Sequence, residues 1–137
     1  MANDGKTIRR FTILGCGSSP GVPRIGMDWG NCDPDNPKNR RRRASMLIEQ
    51  IGPNGTTTIV IDTGPDFREQ MISANIGSAD GVLFTHAHAD HIHGIDDLRS
   101  FFINRRDAHQ PPHGQIKRQT FLDKIVGIRW KNTGLLI

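Results

Sequence analysis

The sequence predicts an α/β fold in which short strands outnumber helices, and three observations carry that expectation. The apolar runs are short, rich in β-branched residues and closed by glycine, proline or asparagine. Two other segments repeat apolar residues at helical spacing. A cluster of histidines follows directly on one of the strand-like runs. At 137 residues the chain can make one modest domain.

Ile8 to Leu14 reads as the first strand and Ala44 to Gln50 as the second. Gly52-Pro53-Asn54-Gly55 then turns the chain back into Thr57 to Ile61 as a hairpin. Pro65-Asp66 opens a helix through about Asn75, with Phe67, Met71 and Ile72 as its apolar face and Gly77-Ser78 as its end. Asp80 to Thr85 is the next strand. Gly94 to about Asn104 reads as a helix whose Asp96-Asp97 suits the positive end of the helix dipole. Leu98, Phe101 and Phe102 supply its buried stripe, which packing explains without any ligand.

The chemistry lies in Thr85-His86-Ala87-His88-Ala89-Asp90-His91-Ile92-His93, behind the apolar run Gly81-Val82-Leu83-Phe84. Imidazole nitrogens and carboxylate oxygens are the donors that zinc and similar divalent ions prefer. On extended backbone, His86 and His88 project to one side, while Asp90 and His91 fall where the chain turns toward a helix. The spacing predicts two adjacent ion sites, His86 and His88 at one, Asp90 and His91 at the other. Asp90 is also the candidate catalytic residue. His93 lies one place beyond the pattern and reads equally well as an outer-shell partner or a solvated side chain.

Residues 15–43 form a long connection, of the length usually kept for a functional flap. Gly15, Gly17 and Gly21 either let backbone pass close to a bound ligand or serve turns. Arg40, Arg41, Arg42 and Arg43 read either as a solvated charge patch or as forks for phosphate oxygens. Cys16 and Cys32 stand far apart, which excludes a disulfide framework. The net charge of +4 is concentrated in residues 107–137, so the body is nearly neutral and no basic stripe for tracking a polyanion is evident outside the arginine run. With no apolar stretch of membrane-spanning length and no signal-peptide layout, a soluble cytoplasmic protein is the expectation.

The motif His86-x-His88-x-Asp90-His91 resembles the signature of the metallo-β-lactamase-fold hydrolases. Ile59-Val60-Ile61-Asp62-Thr63-Gly64 is similar to the strand and Asp-x-Gly that precede the metal loop there, where the aspartate braces the histidine loop from outside the ligand shell. The segment from Phe11 to Pro23 resembles the subgroup of the phosphoribosyl cyclic phosphodiesterase and, more distantly, the tRNA 3′-end endonucleases. That phosphodiesterase carries a cysteine cluster for a structural metal, of which only Cys32 has a counterpart here.

The resemblance covers residues 8 to about 106 and implies the N-terminal half of a four-layer αβ/βα sandwich, a mostly antiparallel or mixed sheet with flanking helices. It implies two divalent metal ions, zinc or manganese, and hydrolysis of a small phosphodiester by metal-activated water. A tRNA-processing nuclease, a thioester or lactone hydrolase, and an inactive metal-binding fragment are the alternatives. Nucleic acid is not the favoured partner and no membrane is involved; a homodimer is the expected association.

In relatives the second half brings a further histidine for the first ion, a bridging aspartate and a last histidine for the second. After Arg106 the pattern is lost, and residues 107–137 read as an irregular tail, the expectation for a truncated or frameshifted product. His109 and His113 are candidate substitute ligands, but their setting matches no later motif of the family. Two motif ligands per ion predict loose metal binding, and a half sandwich predicts exposed apolar surface around Ile59, Ile61, Val82 and Phe84.

Overall fold

The computed structural model describes residues 6–108 and 125–127. Its centre is a sheet in the order β1 (Ile8–Gly15), β2 (Ser45–Gly52), β3 (Gly55–Ile61), β4 (Gly81–Phe84) and β5 (Ile125–Gly127). β1 to β3 pair antiparallel, and β4 and β5 add in parallel, giving the mixed sheet expected. Gly52 pairs with Gly55 across the two-residue turn Pro53-Asn54, which fixes the β2–β3 register. Helix α1 (Phe67–Ala74) makes the crossover from β3 to β4.

Strand alternation sorts the side chains onto two faces. Leu47, Val60 and Val82 lie side by side across β2, β3 and β4 and are buried with Leu14. Over them pack Phe67 and Met71 of α1, Leu98, and Phe101 of α3 (Arg99–Ala108). Phe67 and Phe101 meet edge to face, with ring centroids 5.7 Å apart. Ile72, expected on this face, is instead 58% exposed, because it lies one position round the helix from the buried Met71.

The opposite face is also apolar. Phe11, Ile48 and Ile59 form one cross-strand row, and Ile13, Met46, Ile61 and Leu83 form the next. At its β1 edge Phe11 is 61% and Ile13 73% exposed. The expected exposed quartet therefore mixed two faces. Val82 is fully buried and Phe84 packs on the core, whereas Ile59 and Ile61 lie half-buried on the second face.

Other differences lie at element ends. α1 ends at Ala74, within a residue of the bound expected, but it is closed by Asn75 in the left-handed conformation that asparagine tolerates, φ 55°, and not by Gly77. Asp66 stands before the helix without capping it, its carboxylate being held by Arg43. The expected helix from Gly94 is a 3-10 turn, Ile95–Leu98, running into α3, and a one-turn helix α2 (Ala89–Ile92) precedes it. Gly94 interrupts the path because its N–H donates across the chain to Thr63 O at 2.7 Å. The expected boundary at 106 falls inside α3, and residues 125–127 join the sheet. His109 and His113 lie outside the described residues. No helix among the described residues is long and apolar enough to cross a membrane.

The Phe67–Phe101 contact supplies a test of this core. Phe101→Ala should lower unfolding free energy by about 3–5 kcal/mol in denaturant titrations, and Ile72→Ala by no more than about 0.5 kcal/mol. Equal costs would mean that the helices do not pack on the sheet in this way.

Candidate metal centre

The centre forms where the parallel strands β3 and β4 end, the edge at which open α/β sheets place their ligands. Asp62 leaves β3 with a left-handed backbone, φ 61°, a conformation that costs a non-glycine residue about 1 kcal/mol. The reason is visible in its side chain, which is nearly buried and accepts three hydrogen bonds. Thr85 N donates to Oδ1 at 2.8 Å; Thr85 Oγ1 and His91 Nδ1 both meet Oδ2 at 2.7 Å.

Those bonds set the histidine tautomers. His91 gives its Nδ1 proton to Asp62, so its Nε2 carries the free lone pair. Thr85 Oγ1 has spent its own hydrogen on Asp62 and can only accept from His86 Nδ1, at 3.0 Å, which frees His86 Nε2 in the same way. Thr85 is the residue that sequence reading missed. Its position directly before the first motif histidine was the only signal, and a hydroxyl there has no meaning until the fold brings Asp62 beside it.

The rings gather around His86, whose centroid lies 4.6 Å from that of His88 and 3.9 Å from that of His91. His91 Nε2 lies 3.3 Å from Asp90 Oδ2. The two ring nitrogens of His91 thus face two carboxylates, Asp62 at Nδ1 and Asp90 at Nε2, and the second pair is open to a shared cation. Burial pushes the Asp90 pKa up, but a backbone hydrogen bond, His91, a hydrogen bond from the Ser19 side chain and His88 together outweigh it and hold the carboxyl below its usual range. Asp90 is therefore ionised at neutral pH and suited to a cation.

The donors fit zinc or manganese in kind: imidazoles, two of them engaged at Nδ1, and an ionised carboxylate. They do not close a cage. Among the described residues no group of three or more His, Cys, Asp or Glu side chains is arranged to hold an ion as it stands. His93 is exposed at the end of α2, outside the stacked rings.

Backbone contacts clamp this loop to the end of β3. Thr63 N donates to His91 O at 2.8 Å, and a Cβ on Gly64 would stand 2.2 Å from Asp90 O, so only glycine admits the approach.

The arginine run is reassigned in part. Arg42 Nη1 donates to Glu69 O and Ser73 Oγ on α1, and Arg43 pairs with Asp66, so both guanidiniums are engaged within the fold. The run's backbone accounts for Gly17, whose N–H donates to Arg42 O at 2.7 Å, and for Val22, which exchanges two bonds with Arg41.

The description "beta-lactamase superfamily domain" matches residues 57–131, and the chain belongs to that family. Its fold is that of a metallo-β-lactamase-fold hydrolase. The crystal structure of a new diphosphatase from the PhnP family is similar at 32% identity and a TM-score of 0.66, over 96% of this chain and 54% of that one. A long-form RNase Z from yeast shares the fold, with 15% identity and a TM-score of 0.50 over 93% of this chain and 19% of that one. A protein of Porphyromonas gingivalis (strain ATCC BAA-308 / W83) named octanoyltransferase is 43% identical over 99 residues, which are 72% of this chain and 20% of that protein. The chain thus spans a fifth of that curated relative and about half of the diphosphatase.

Thr85→Val keeps the shape and removes the hydroxyl, leaving Asp62 Oδ2 short of one donor in a nearly dry position. It should cost about 1–3 kcal/mol of stability, with Thr85→Ser close to wild type. A valine variant as stable as the parent would contradict the network.

Proposed function

We propose that this chain supplies the metal-holding part of a hydrolase that cleaves phosphoester bonds, with small phosphodiesters and diphosphates as its substrates. The observation that carries the reading is the pair of engaged nitrogens: Asp62 and Thr85 bind Nδ1 of His91 and His86, which leaves Nε2 of each ring for an ion, that of His91 3.3 Å from Asp90 Oδ2. His86 and His88 would hold one ion, and Asp90 and His91 the second. Bound there, two divalent ions would supply hydroxide at neutral pH, by lowering the pKa of water to about 7, and would polarise phosphoryl oxygens.

The chain's own residues do the rest. Asp62 and Thr85 orient the imidazoles, as outer-shell partners of metal ligands commonly do. Asp90 stays ionised. Arg40 and Arg41, whose side chains no described hydrogen bond or ion pair engages, are the arginines left for substrate phosphate. The similarity to a diphosphatase favours phosphorus over carbonyl substrates. The nearly neutral body weighs against an extended nucleic acid.

Zinc and manganese content after equilibrium dialysis should fall by at least the share of the first ion in both His86→Ala and His88→Ala, because each change leaves that ion at most one motif ligand. In a panel of bis-p-nitrophenyl phosphate, a nucleoside diphosphate ester and a lactone, turnover should be confined to the phosphorus compounds. Unchanged metal content in both variants, or turnover of the lactone alone, would overturn the reading.

A further inference from the structure

β1 ends the sheet. β2 pairs with one side of it, and among the described residues no strand or bridge pairs with the other. From Ile8 to Ile13 its register against β2 runs without a shift, and no described backbone hydrogen bond outside that ladder involves residues 8–14. Strand geometry turns alternate N–H and C=O groups to either side, so the outer side offers a straight row of donors and acceptors. Proteins normally blunt such an edge with proline, a bulge, a charged side chain or a covering segment. β1 holds no proline, and its one irregularity falls between Ile13 and Gly15, at its C-terminal end.

The charges that would guard the edge are turned away from it. Arg9 Nε donates to Gln50 Oε1 at 3.3 Å, and Arg10 Nε lies 3.5 Å from Glu49 Oε2. Both guanidiniums are therefore drawn inward over β2, one on each face of the sheet. Ile8, Phe11 and Ile13 are left exposed along the strand.

We propose that β1 is a pairing edge whose occupant is β1 of a second copy, antiparallel across a two-fold axis at Phe11, so that two sheets join into one. A two-fold contact needs a surface complementary to itself, and this register supplies one. Phe11 faces its own counterpart, and Ile13 faces Arg9, whose aliphatic stem can cover it. The two Arg9 residues stand four strand positions apart, about 13 Å, which exceeds the screening length of about 10 Å in dilute salt. An axis at Arg10 would set like charges directly opposite one another. An axis at Thr12 would pair Arg9 with Gly15, beyond the irregularity. An edge pairing with no second layer buries little area, so the dimer is a weak one.

The test is sedimentation of the whole chain over a concentration series, with backbone hydrogen exchange of residues 8–14 followed by mass spectrometry. The mass should rise from monomer toward dimer with concentration. Exchange in residues 8–14 should slow in step, because the outward N–H groups gain partners. Phe11→Lys sets two cations opposite one another and Ile13→Lys sets one against Arg9, so both variants should stay monomeric throughout, with melts close to the parent's at the dilute end. In a background of Cys16→Ser and Cys32→Ser, oxidation should link Phe11→Cys across the axis and leave Ile8→Cys unlinked. Ile8 lies six strand positions from its counterpart, about 20 Å, and a disulfide spans no more than about 7 Å between Cα atoms. A monomer at all concentrations, self-association that leaves exchange of residues 8–14 unchanged, dimers of both lysine variants, or equal linking of the two cysteine variants would overturn the proposal.

Discussion

The carboxylate of Asp62 is the constraint on which the rest of the centre depends. It sits almost dry at the end of β3, on a backbone that a non-glycine residue adopts only at a cost, and all three of its hydrogen bonds come from the loop that follows β4. A buried polar group in that setting is stable only if its hydrogen-bond partners stay in place. Holding Asp62 therefore holds Thr85 and His91, and through Thr85 it holds His86. The backbone is strained at one residue so that two imidazoles each present the same nitrogen outward.

The sheet makes this contact possible by pairing β3 and β4 in parallel. Parallel neighbours end on the same side, so Asp62 and Thr85 leave their strands together, separated by the α1 crossover in sequence but not in space. The glycine at 64 lets the chains close to backbone contact. On the far side, the Arg43–Asp66 pair anchors the start of α1 to the segment that leads into β2. The apolar rows on the other face of the sheet, from Phe11 and Ile13 to Leu83, take no part in this.

Much of this was legible in the sequence because it depends on local pattern. The β2–β3 hairpin followed from alternation around Pro53-Asn54, and the buried stripe of Leu98, Phe101 and Phe102 from helical spacing. The family followed from the histidine motif. What was not legible depends on which distant segments meet. That Arg43 would meet Asp66 is a fact of register between an irregular loop and a helix start, so four consecutive arginines looked alike although two of them are internal braces. The faces of Val82 and Ile61 were confused because a short apolar run does not say which parity is core. Thr85 and Ser19 are small polar residues with no pattern of their own.

X-ray absorption fine structure of the zinc-loaded chain tests the central claim most directly, since it reads the atoms around the ion. Binding by the histidine loop predicts nitrogen and oxygen neighbours at about 2.0–2.2 Å with the outer-shell scattering of imidazole, and no sulfur. A first shell dominated by sulfur at about 2.3 Å, which only Cys16, Cys32 or a methionine could supply, or a shell without imidazole scattering, would contradict it.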